Sequence, residues 1–275
     1  METQIEDVKT WFITGASRGF GRIWAEAALK RGDRVAATAR RPESLQPLVD
    51  SYGGAVLPLV LDVTDRAAAF AAVRRAAATF GRLDVVVNNA GYGLFGTVEE
   101  ATEQQAREQI ETNLLGPLWV TQAALPFLRE QGSGHILQVS SIGGLAAFPT
   151  LGLYNASKWG LEGMSEALAQ EVAPLGIHVT IVEPGPYGTE WSTGSAVHTE
   201  PIAAYEPVRE ARRAGATARA PQDPQVTADV ILELVDTDKP PLRLFLGPYP
   251  YPVVEAVYQK RLETWEAWRP LGTKA

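Results

Sequence analysis

Seven short apolar runs alternate along the chain with longer segments that have the composition of helices. The runs are TWFITG (10–15), RVAATA (34–39), AVLPLVLD (55–62), DVVVNN (84–89), HILQVSS (135–141), IHVTIVEP (177–184) and LRLFLG (242–247). They are almost continuously apolar, which is typical of strands covered on both faces of a sheet. Strand–helix alternation of this kind predicts an α/β fold with a doubly wound parallel sheet of about seven strands and helices on both faces.

We predict one domain over residues 1–275, because α/β folds often reach about 250 residues as a single unit. Residues 1–8 are expected to be flexible. The Gly- and Pro-containing stretch 187–224 is irregular in sequence, and such a stretch is typical of a lid over a substrate. Residues 248–275 read as a C-terminal helical extension.

Three helix signals stand out between the runs. Gly81 is placed to cap the alanine-rich segment that precedes it. Thr102 and Gln105 have the spacing of a capping box. Pro117 lies inside the following segment and predicts a kink or break. The acidic residues Glu99, Glu100, Glu103, Glu108 and Glu111 are assigned to a solvated face.

Charge and composition exclude several functions. The net charge is −7 in 275 residues, which disfavours nucleic acid as a partner. No apolar stretch reaches the ~18 residues that would span a bilayer, so no membrane association is expected. The chain has no cysteine, and its three histidines are scattered, so we expect no metal site. The lack of cysteine also fits a cytoplasmic location.

A glycine-rich turn, TGASRGFG, directly follows the first run. Gly15, Gly19 and Gly21 allow a tight turn and a close backbone approach, and the next helix points its N-terminal amides at this place. The geometry suits a pyrophosphate. The alternative is a strand–helix connection without a ligand. The spacing matches neither the usual dinucleotide fingerprint nor a Walker A loop.

Further motifs follow in order: Asp62-Val63, NNAG (88–91), Asn113, Ser141, YNASK (154–158) and PGPYGT (184–189). Together with the glycine turn they resemble the short-chain dehydrogenase/reductase family, from Thr10 to about Gly247. The resemblance implies a Rossmann fold, a nicotinamide dinucleotide cofactor and hydride transfer to or from a carbonyl or secondary alcohol. It also implies a homo-oligomer, either a dimer or a tetramer.

The resemblance assigns a set of residues to the cofactor. They are Gly15, Ser17, Arg18, Gly19, Phe20, Gly21, Arg40, Asp62, Val63, Asn89, Ala90, Gly91, Tyr154, Lys158, Pro184, Gly185 and Thr189.

Ala39 stands where relatives that select NAD carry an acidic residue, and Arg40 follows it. With Arg18 in the turn, the guanidinium groups would pair with a 2′-phosphate, so we predict NADP(H) in preference to NAD(H). Arg41 is more consistent with a solvated surface charge. For Asp62 a contact with adenine and a helix N-cap stay equally open.

Tyr154 and Lys158 are four residues apart, which places them on one face of a helix. A free tyrosine titrates near pH ~10, and a neighbouring ammonium group should lower the pKa of the phenol toward neutral pH. Tyr154 could then protonate a carbonyl oxygen as general acid. Taken alone, the motif would also fit the start of an amphipathic helix whose tyrosine packs at an interface and has no catalytic role.

By resemblance Ser141 holds the substrate oxygen, with Ser140 as the alternative, and Asn113 holds a water next to a local helix distortion. Asn113, Ser141, Tyr154 and Lys158 are therefore the predicted catalytic residues.

The residues predicted to line the substrate side are mostly apolar, which indicates a lipophilic ketone. They are Leu94, Phe95, Gly143, Leu145, Phe148, Tyr187 and Trp191. The function predicted is NADP(H)-dependent carbonyl reduction. The alternatives are a catalytically silent dinucleotide-binding regulator and, ranked last, a sugar-nucleotide epimerase.

Overall fold

The structure is a computed structural model that describes residues 8–191, 194–217 and 220–274. Nine strands occur in the described residues: β1 (Thr10–Ile13), β2 (Arg34–Ala39), β3 (Val56–Val60), β4 (Val85–Asn88), β5 (Leu94–Phe95), β6 (Gly134–Val139), β7 (Ile177–Pro184), β8 (Val197–His198) and β9 (Arg243–Leu246). Seven of them form a parallel sheet in the order β3-β2-β1-β4-β6-β7-β9, while β5 and β8 pair separately.

Helices follow most strands of the large sheet. Their bounds are α1 (Gly19–Arg31), α2 (Gln46–Tyr52), α3 (Arg66–Phe80), α4 (Glu103–Ile110), α5 (Gly116–Gln131), α6 (Gly152–Val172), α7 (Glu206–Thr217), α8 (Thr227–Asp236) and α9 (Pro250–Gly272). A π-helical turn, Glu111–Leu115, joins α4 to α5.

Two hydrophobic cores lie on opposite faces of the sheet. Trp11 and Ile13 of β1 pack with α1, α2 and α8, whereas Phe12 between them packs with α3, α5 and α6. Successive strand residues point to opposite faces, so a sheet covered on both sides needs apolar residues at every position. This confirms the predicted doubly wound parallel fold, which is a Rossmann fold.

Local signals in the sequence have mostly the expected structures. Gly81 ends α3 in the left-handed conformation with φ 82°. Thr102 and Gln105 form the complete capping box of α4. The distortion predicted at Pro117 falls instead in the π turn before it. Pro117 itself lies in the first turn of α5, where the missing amide hydrogen is not needed.

The segment 187–224 is less irregular than its sequence suggests, because it contains β8 and α7. Glu100 holds it in place and is only 9% exposed, so its assignment to a solvated face is wrong. Its carboxylate accepts hydrogen bonds from the Ile202 amide at 2.7 Å, from the Thr199 hydroxyl at 3.0 Å and from the guanidinium of Arg209 on α7. Residues 192–193 and 218–219 of this segment, and residues 1–7 of the predicted flexible N-terminus, lie outside the described residues.

The C-terminal helix α9 corresponds to the predicted extension. The Arg261 guanidinium donates to the Leu145 carbonyl oxygen at 2.9 Å and lies 4.7 Å from the ring centroid of Trp159. Much of the rest of the helix is exposed, including Trp265 and Trp268, each at 64%. Within the described ranges, every helix is too short or too polar to cross a membrane.

Candidate active site

The strand order places the site at the carboxyl edge of the sheet, between β1 and β4. The connections from β1 lead to β2 and β3 on one side, and β4, β6, β7 and β9 continue on the other. Such a switch point leaves a crevice outside the strand ends, which is where open α/β sheets bind ligands. The glycine turn follows β1 and the NNAG motif follows β4, so both lie at this crevice.

The glycine turn is tightly built. Gly15 and Gly19 have φ angles of 67° and 54°, which side chains rarely adopt. A Cβ atom on Gly21 would lie 2.5 Å from the Gly15 carbonyl oxygen and from Asn89 Nδ2. The Asn89 amide donates to the Thr14 carbonyl oxygen at 2.9 Å, and the Thr14 hydroxyl accepts from the Asn89 and Ala90 backbone amides.

The start of α1 is open to an anion. Its N-cap, Arg18, makes no side-chain capping hydrogen bond. A Cβ atom on Gly19 would lie 3.8 Å from Thr189 Cβ and 3.9 Å from Glu190 Oε2, so the space beside the turn is bordered by these two side chains without a close clash. Backbone amides at a helix N-terminus with room in front of them fit a dinucleotide pyrophosphate.

The residues expected around the adenosine end are exposed. Arg40 follows β2 at the carboxyl edge, and Arg18 lies in the turn with Nη1 3.5 Å from the Gly194 carbonyl oxygen. The Asp62 carboxylate accepts from the Thr64 amide and hydroxyl at 3.0 and 2.7 Å. Asp65, not Asp62, caps α3, so the N-cap alternative for Asp62 is wrong.

Several expected cofactor residues have side chains engaged in packing. Phe20 stacks on Trp24 at 5.2 Å, and the Val63 side chain packs where a Cβ atom of Gly116 would lie. Pro184 ends β7 and is buried. Gly185 would carry a Cβ 3.3 Å from Pro250, Thr189 lies beside Gly19, and Ser17 is partly buried in the turn. Since the side chains of Phe20 and Val63 are packed inside the protein, only their backbone groups are left to contact a ligand.

Asn113 joins three elements beneath the crevice. It is fully buried in the π turn; its Oδ1 accepts from the Tyr92 amide at 3.1 Å, and its Nδ2 donates to the Tyr92 carbonyl oxygen at 2.9 Å and to Ser157 Oγ at 3.2 Å. A Cβ on Gly91 would lie 3.1 Å from Asn113 Oδ1 and 3.7 Å from Lys158 Nζ. Gly91 therefore lets the amide and the ammonium group approach the backbone.

Tyr154 and Lys158 lie on the same face of α6 and are 5% and 6% exposed. Lys158 Nζ donates to the Val139 carbonyl oxygen at 2.8 Å and lies 5.9 Å from the centroid of the Tyr154 ring. Burial lowers the pKa of Lys158 to about 8, against a smaller raising effect of Glu162.

We expected Lys158 to lower the pKa of the Tyr154 phenol, and this prediction is wrong for the protein without a bound cofactor. Burial raises the pKa of Tyr154 to about 12, and a hydrogen bond with Ser141 lowers it only in part. The ammonium group of Lys158 faces a carbonyl oxygen rather than the phenol. Ser141 precedes a short 3₁₀ turn (Ile142–Gly144), and its Oγ accepts from the Gly143 amide at 3.0 Å.

The Trp191 ring packs against the Tyr154 ring and also against Phe95. It lies 5.0 Å from the Tyr154 ring and 5.2 Å from Phe95, which belongs to the short sheet β5–β8. Tyr187, expected in the same group, packs instead against Phe20 at 5.3 Å. The reason is that Tyr187 faces the side of the sheet covered by α1, as its place in that hydrophobic core shows.

Sequence reasoning missed three participants. Ser157 accepts from Asn113 and donates to the Tyr154 carbonyl oxygen at 2.7 Å. Glu162, beside Lys158, and Glu183, beside Arg243, are 4% and 0% exposed. Glu162 follows Lys158 by four residues on α6, which was a usable signal, and Glu183 is an acidic residue inside an apolar run.

Comparison with known proteins agrees with this geometry. The short chain dehydrogenase family model matches residues 9–198. Oxidoreductase BOA17 of Botryotinia fuckeliana is 42% identical over 96% of this chain and 98% of its own. The 3-ketodihydrosphingosine reductase of Bacteroides thetaiotaomicron is 35% identical over 94% of this chain and 92% of its own. A short-chain dehydrogenase crystal structure from Streptomyces avermitilis has a TM-score of 0.92 at 40% identity, covering 98% of both chains.

The chain therefore belongs to the short-chain dehydrogenase/reductase family and is an oxidoreductase of that family. Related structures hold both cofactors. An alcohol dehydrogenase of Thermococcus sibiricus, complexed with 5-hydroxy-NADP, is 28% identical with a TM-score of 0.73, covering 87% of this chain and 96% of its own. A Burkholderia phymatum protein in complex with NAD shares the fold at 23% identity and a TM-score of 0.80, covering 95% of both chains.

Proposed function

We propose that the protein reduces a lipophilic ketone, or oxidises the matching secondary alcohol, with NADP(H). The observation that supports this most is the convergence of Asn113, Ser141, Tyr154 and Lys158 beside the glycine turn. Asn113 comes from the π turn, Ser141 follows β6, and Tyr154 and Lys158 come from α6. The glycine turn after β1 supports a nearby pyrophosphate, because its backbone leaves amides at the start of α1.

The bound dinucleotide would supply the hydride, and the chain would bind, orient and protonate. The α1 amides and the glycine turn would hold the pyrophosphate. Thr189 would hydrogen-bond the carboxamide of the nicotinamide. Lys158 would hold the ribose hydroxyls. Asp62, Asn89, Ala90, Pro184 and Gly185 complete the proposed cofactor contacts. Ser141 would orient the substrate oxygen, and Tyr154 would donate its proton to it.

Carbonyl reduction needs a proton donor, and the Tyr154 phenol would be that donor. Burial raises its pKa to about 12, so the phenol is protonated at neutral pH and becomes an efficient acid only when a cation in the crevice lowers that pKa. Removing that proton, as alcohol oxidation requires, is unfavourable until a cation reaches the crevice. The name of the Bacteroides relative, a keto reductase, supports reduction as well.

NADP(H) preference rests on charge. Arg18 and Arg40 are exposed at the edge where an adenosine ribose would lie, and Ala39 before Arg40 carries no carboxylate that would repel a 2′-phosphate. The aromatic group Phe95, Trp191 and Tyr154 supports a lipophilic substrate. A single domain with residues 187–224 as lid, a dimer or tetramer and a cytoplasmic location remain predictions. Sedimentation measures the assembly.

A panel of lipophilic and small polar carbonyl compounds, followed by NADPH absorbance, tests the proposal. We expect turnover on lipophilic ketones, with Tyr154→Phe slower by about 10²-fold or more and still binding NADPH by fluorescence. Binding without turnover of any compound would favour the silent regulator. Activity restricted to polar compounds would contradict the substrate class, and a Tyr154→Phe variant with most of its kcat would remove Tyr154 as the acid.

A further inference from the structure

Two buried carboxyl groups lie behind Lys158 and have no part in the proposed reaction. Glu162 is on α6, one turn after Lys158, and Glu183 is near the carboxyl end of β7, the strand next to the edge strand β9. All four carboxyl oxygens are shielded from solvent. Among the described residues, no hydrogen-bond donor satisfies any of these four oxygens, and both carboxyl groups lie against the same guanidinium group.

Arg243 on β9 is the cation that faces both carboxyl groups. Its nitrogen atoms lie 3.2 Å from a Glu162 oxygen and 3.4 Å from a Glu183 oxygen. The same guanidinium also lies 3.1 Å from the exposed Glu166, so its charge is divided among three carboxyl groups. Lys158 is the other charged group that faces Glu162, and the Lys158 ammonium is bonded to the Val139 carbonyl oxygen.

Ionised carboxylates only accept hydrogen bonds, so two of them in contact need a proton between them. Two like charges in a shared buried site raise the pKa of one group strongly. Burial, and then the charge of Glu162, raise the pKa of Glu183 to about 9. Burial also raises the pKa of Glu162, but the nearby charges of Arg243 and Lys158 act in the opposite direction, so of the two groups Glu162 is the one with two cations to favour its ionised form.

We propose that Glu162 and Glu183 share one proton at neutral pH, held on Glu183, and that the charge left on Glu162 makes it a positioning residue for Lys158. The inference rests on the proposed function, because Lys158 is the group whose charge it sets. A negative charge one helical turn away keeps the buried ammonium ion protonated. Without it, Lys158 would lose its proton at lower pH.

Three variants test which of the two buried carboxyl groups carries the negative charge. Glu183→Gln replaces the shared proton by an amide hydrogen and leaves the charge on Glu162. Glu162→Gln removes the charge nearest Lys158. Glu166→Gln is the matched control, since Glu166 lies on the same helix and near the same arginine but in solvent. The readouts are kcat/KM for NADPH and the Kd of NADPH by fluorescence, each as a function of pH.

We expect the alkaline limb of both profiles to move down by about one pH unit in Glu162→Gln. It should stay in place in Glu183→Gln and Glu166→Gln, and Glu162→Asp should restore most of it. A limb that moves equally in Glu183→Gln would mean that both carboxyl groups are ionised. If the alkaline limb moves in none of the variants, Glu162 is not a positioning residue for Lys158.

Infrared spectroscopy of the protein without substrate tests the proton itself. Wild type should show a protonated carboxyl band at pH 7 that is absent from Glu183→Gln and present in Glu166→Gln. Its absence from wild type would overturn the shared proton, even if Glu162→Gln does not fold. If wild type shows the carboxyl band but reduces no carbonyl compound, the shared proton is supported and the proposed function is rejected.

Discussion

The two halves of the crevice differ in how far the protein has already built them. In the acid–base half, Asn113, Tyr154 and Lys158 are 0%, 5% and 6% exposed. The Asn113 amide donates to the Tyr92 carbonyl oxygen, and the Lys158 ammonium group donates to the Val139 carbonyl oxygen. In the adenosine half, Arg18 and Arg40 are exposed charges. One half is therefore a buried, hydrogen-bonded part of the protein, and the other is part of the surface.

This difference determines what a substitution should do. Buried hydrogen-bonded groups hold the backbone, so replacing them costs stability as well as activity. Exposed charges contribute about 0–1 kcal/mol to stability and act chiefly on the ligand. We therefore expect the acid–base half to couple folding to catalysis, and the adenosine half to change cofactor choice without changing the fold.

The largest effect should follow from Asn113→Ala. It leaves the Tyr92 amide without its partner and loosens Ser157, which costs about 1–3 kcal/mol per buried unsatisfied group. Displacement of Gly91 and Lys158 should lower kcat by about 10²-fold. Urea unfolding and turnover measure the two effects. The control is Gln104→Ala, whose amide is exposed and donates to Glu108. A variant that loses activity at wild-type stability would break the coupling.

The fold could be predicted because its main determinants are local. Apolar runs such as 177–184 need a sheet covered on both faces, whichever helices cover it. The Gly81 cap and the Thr102–Gln105 box depend on residues at most four positions apart. Glu100 was assigned wrongly because its partners, Thr199, Ile202 and Arg209, are about a hundred residues away.

The candidate site divides in the same way. Tyr154 and Lys158 were recognisable because their spacing lies within one helical turn. The contact between Glu162 and Glu183 joins α6 to β7, and no spacing along the chain reveals it. The sequence also suggested the wrong sign for the pKa of Tyr154. The neighbouring lysine was visible in the sequence, but the burial that raises the pKa of the phenol depends on how distant segments pack around it.

An intermediate effect should follow from Arg40→Asp. The carboxylate would repel a 2′-phosphate and accept from ribose hydroxyls, so the ratio of kcat/KM for NADPH to that for NADH should fall by about 10- to 10²-fold. The free energy of unfolding should change by less than about 0.5 kcal/mol. Arg41→Asp, one residue along, should leave the ratio near that of wild type. An unchanged ratio in Arg40→Asp would show that cofactor choice lies elsewhere.

The smallest effect should come from the boundary between the halves, at Trp191. Its ring contacts Tyr154 and Phe95, and an aromatic pair is worth about 0.5–1.5 kcal/mol beyond its buried area. Trp191→Ala should therefore raise KM for lipophilic ketones by about three- to tenfold and change kcat less, since the hydrogen bonds of Lys158 and Asn113 persist. Trp268→Ala, on the exposed face of α9, is the matched control. If kcat fell as far as in Asn113→Ala, Trp191 would belong to the acid–base half, because it would hold the Tyr154 ring in place rather than merely cover it.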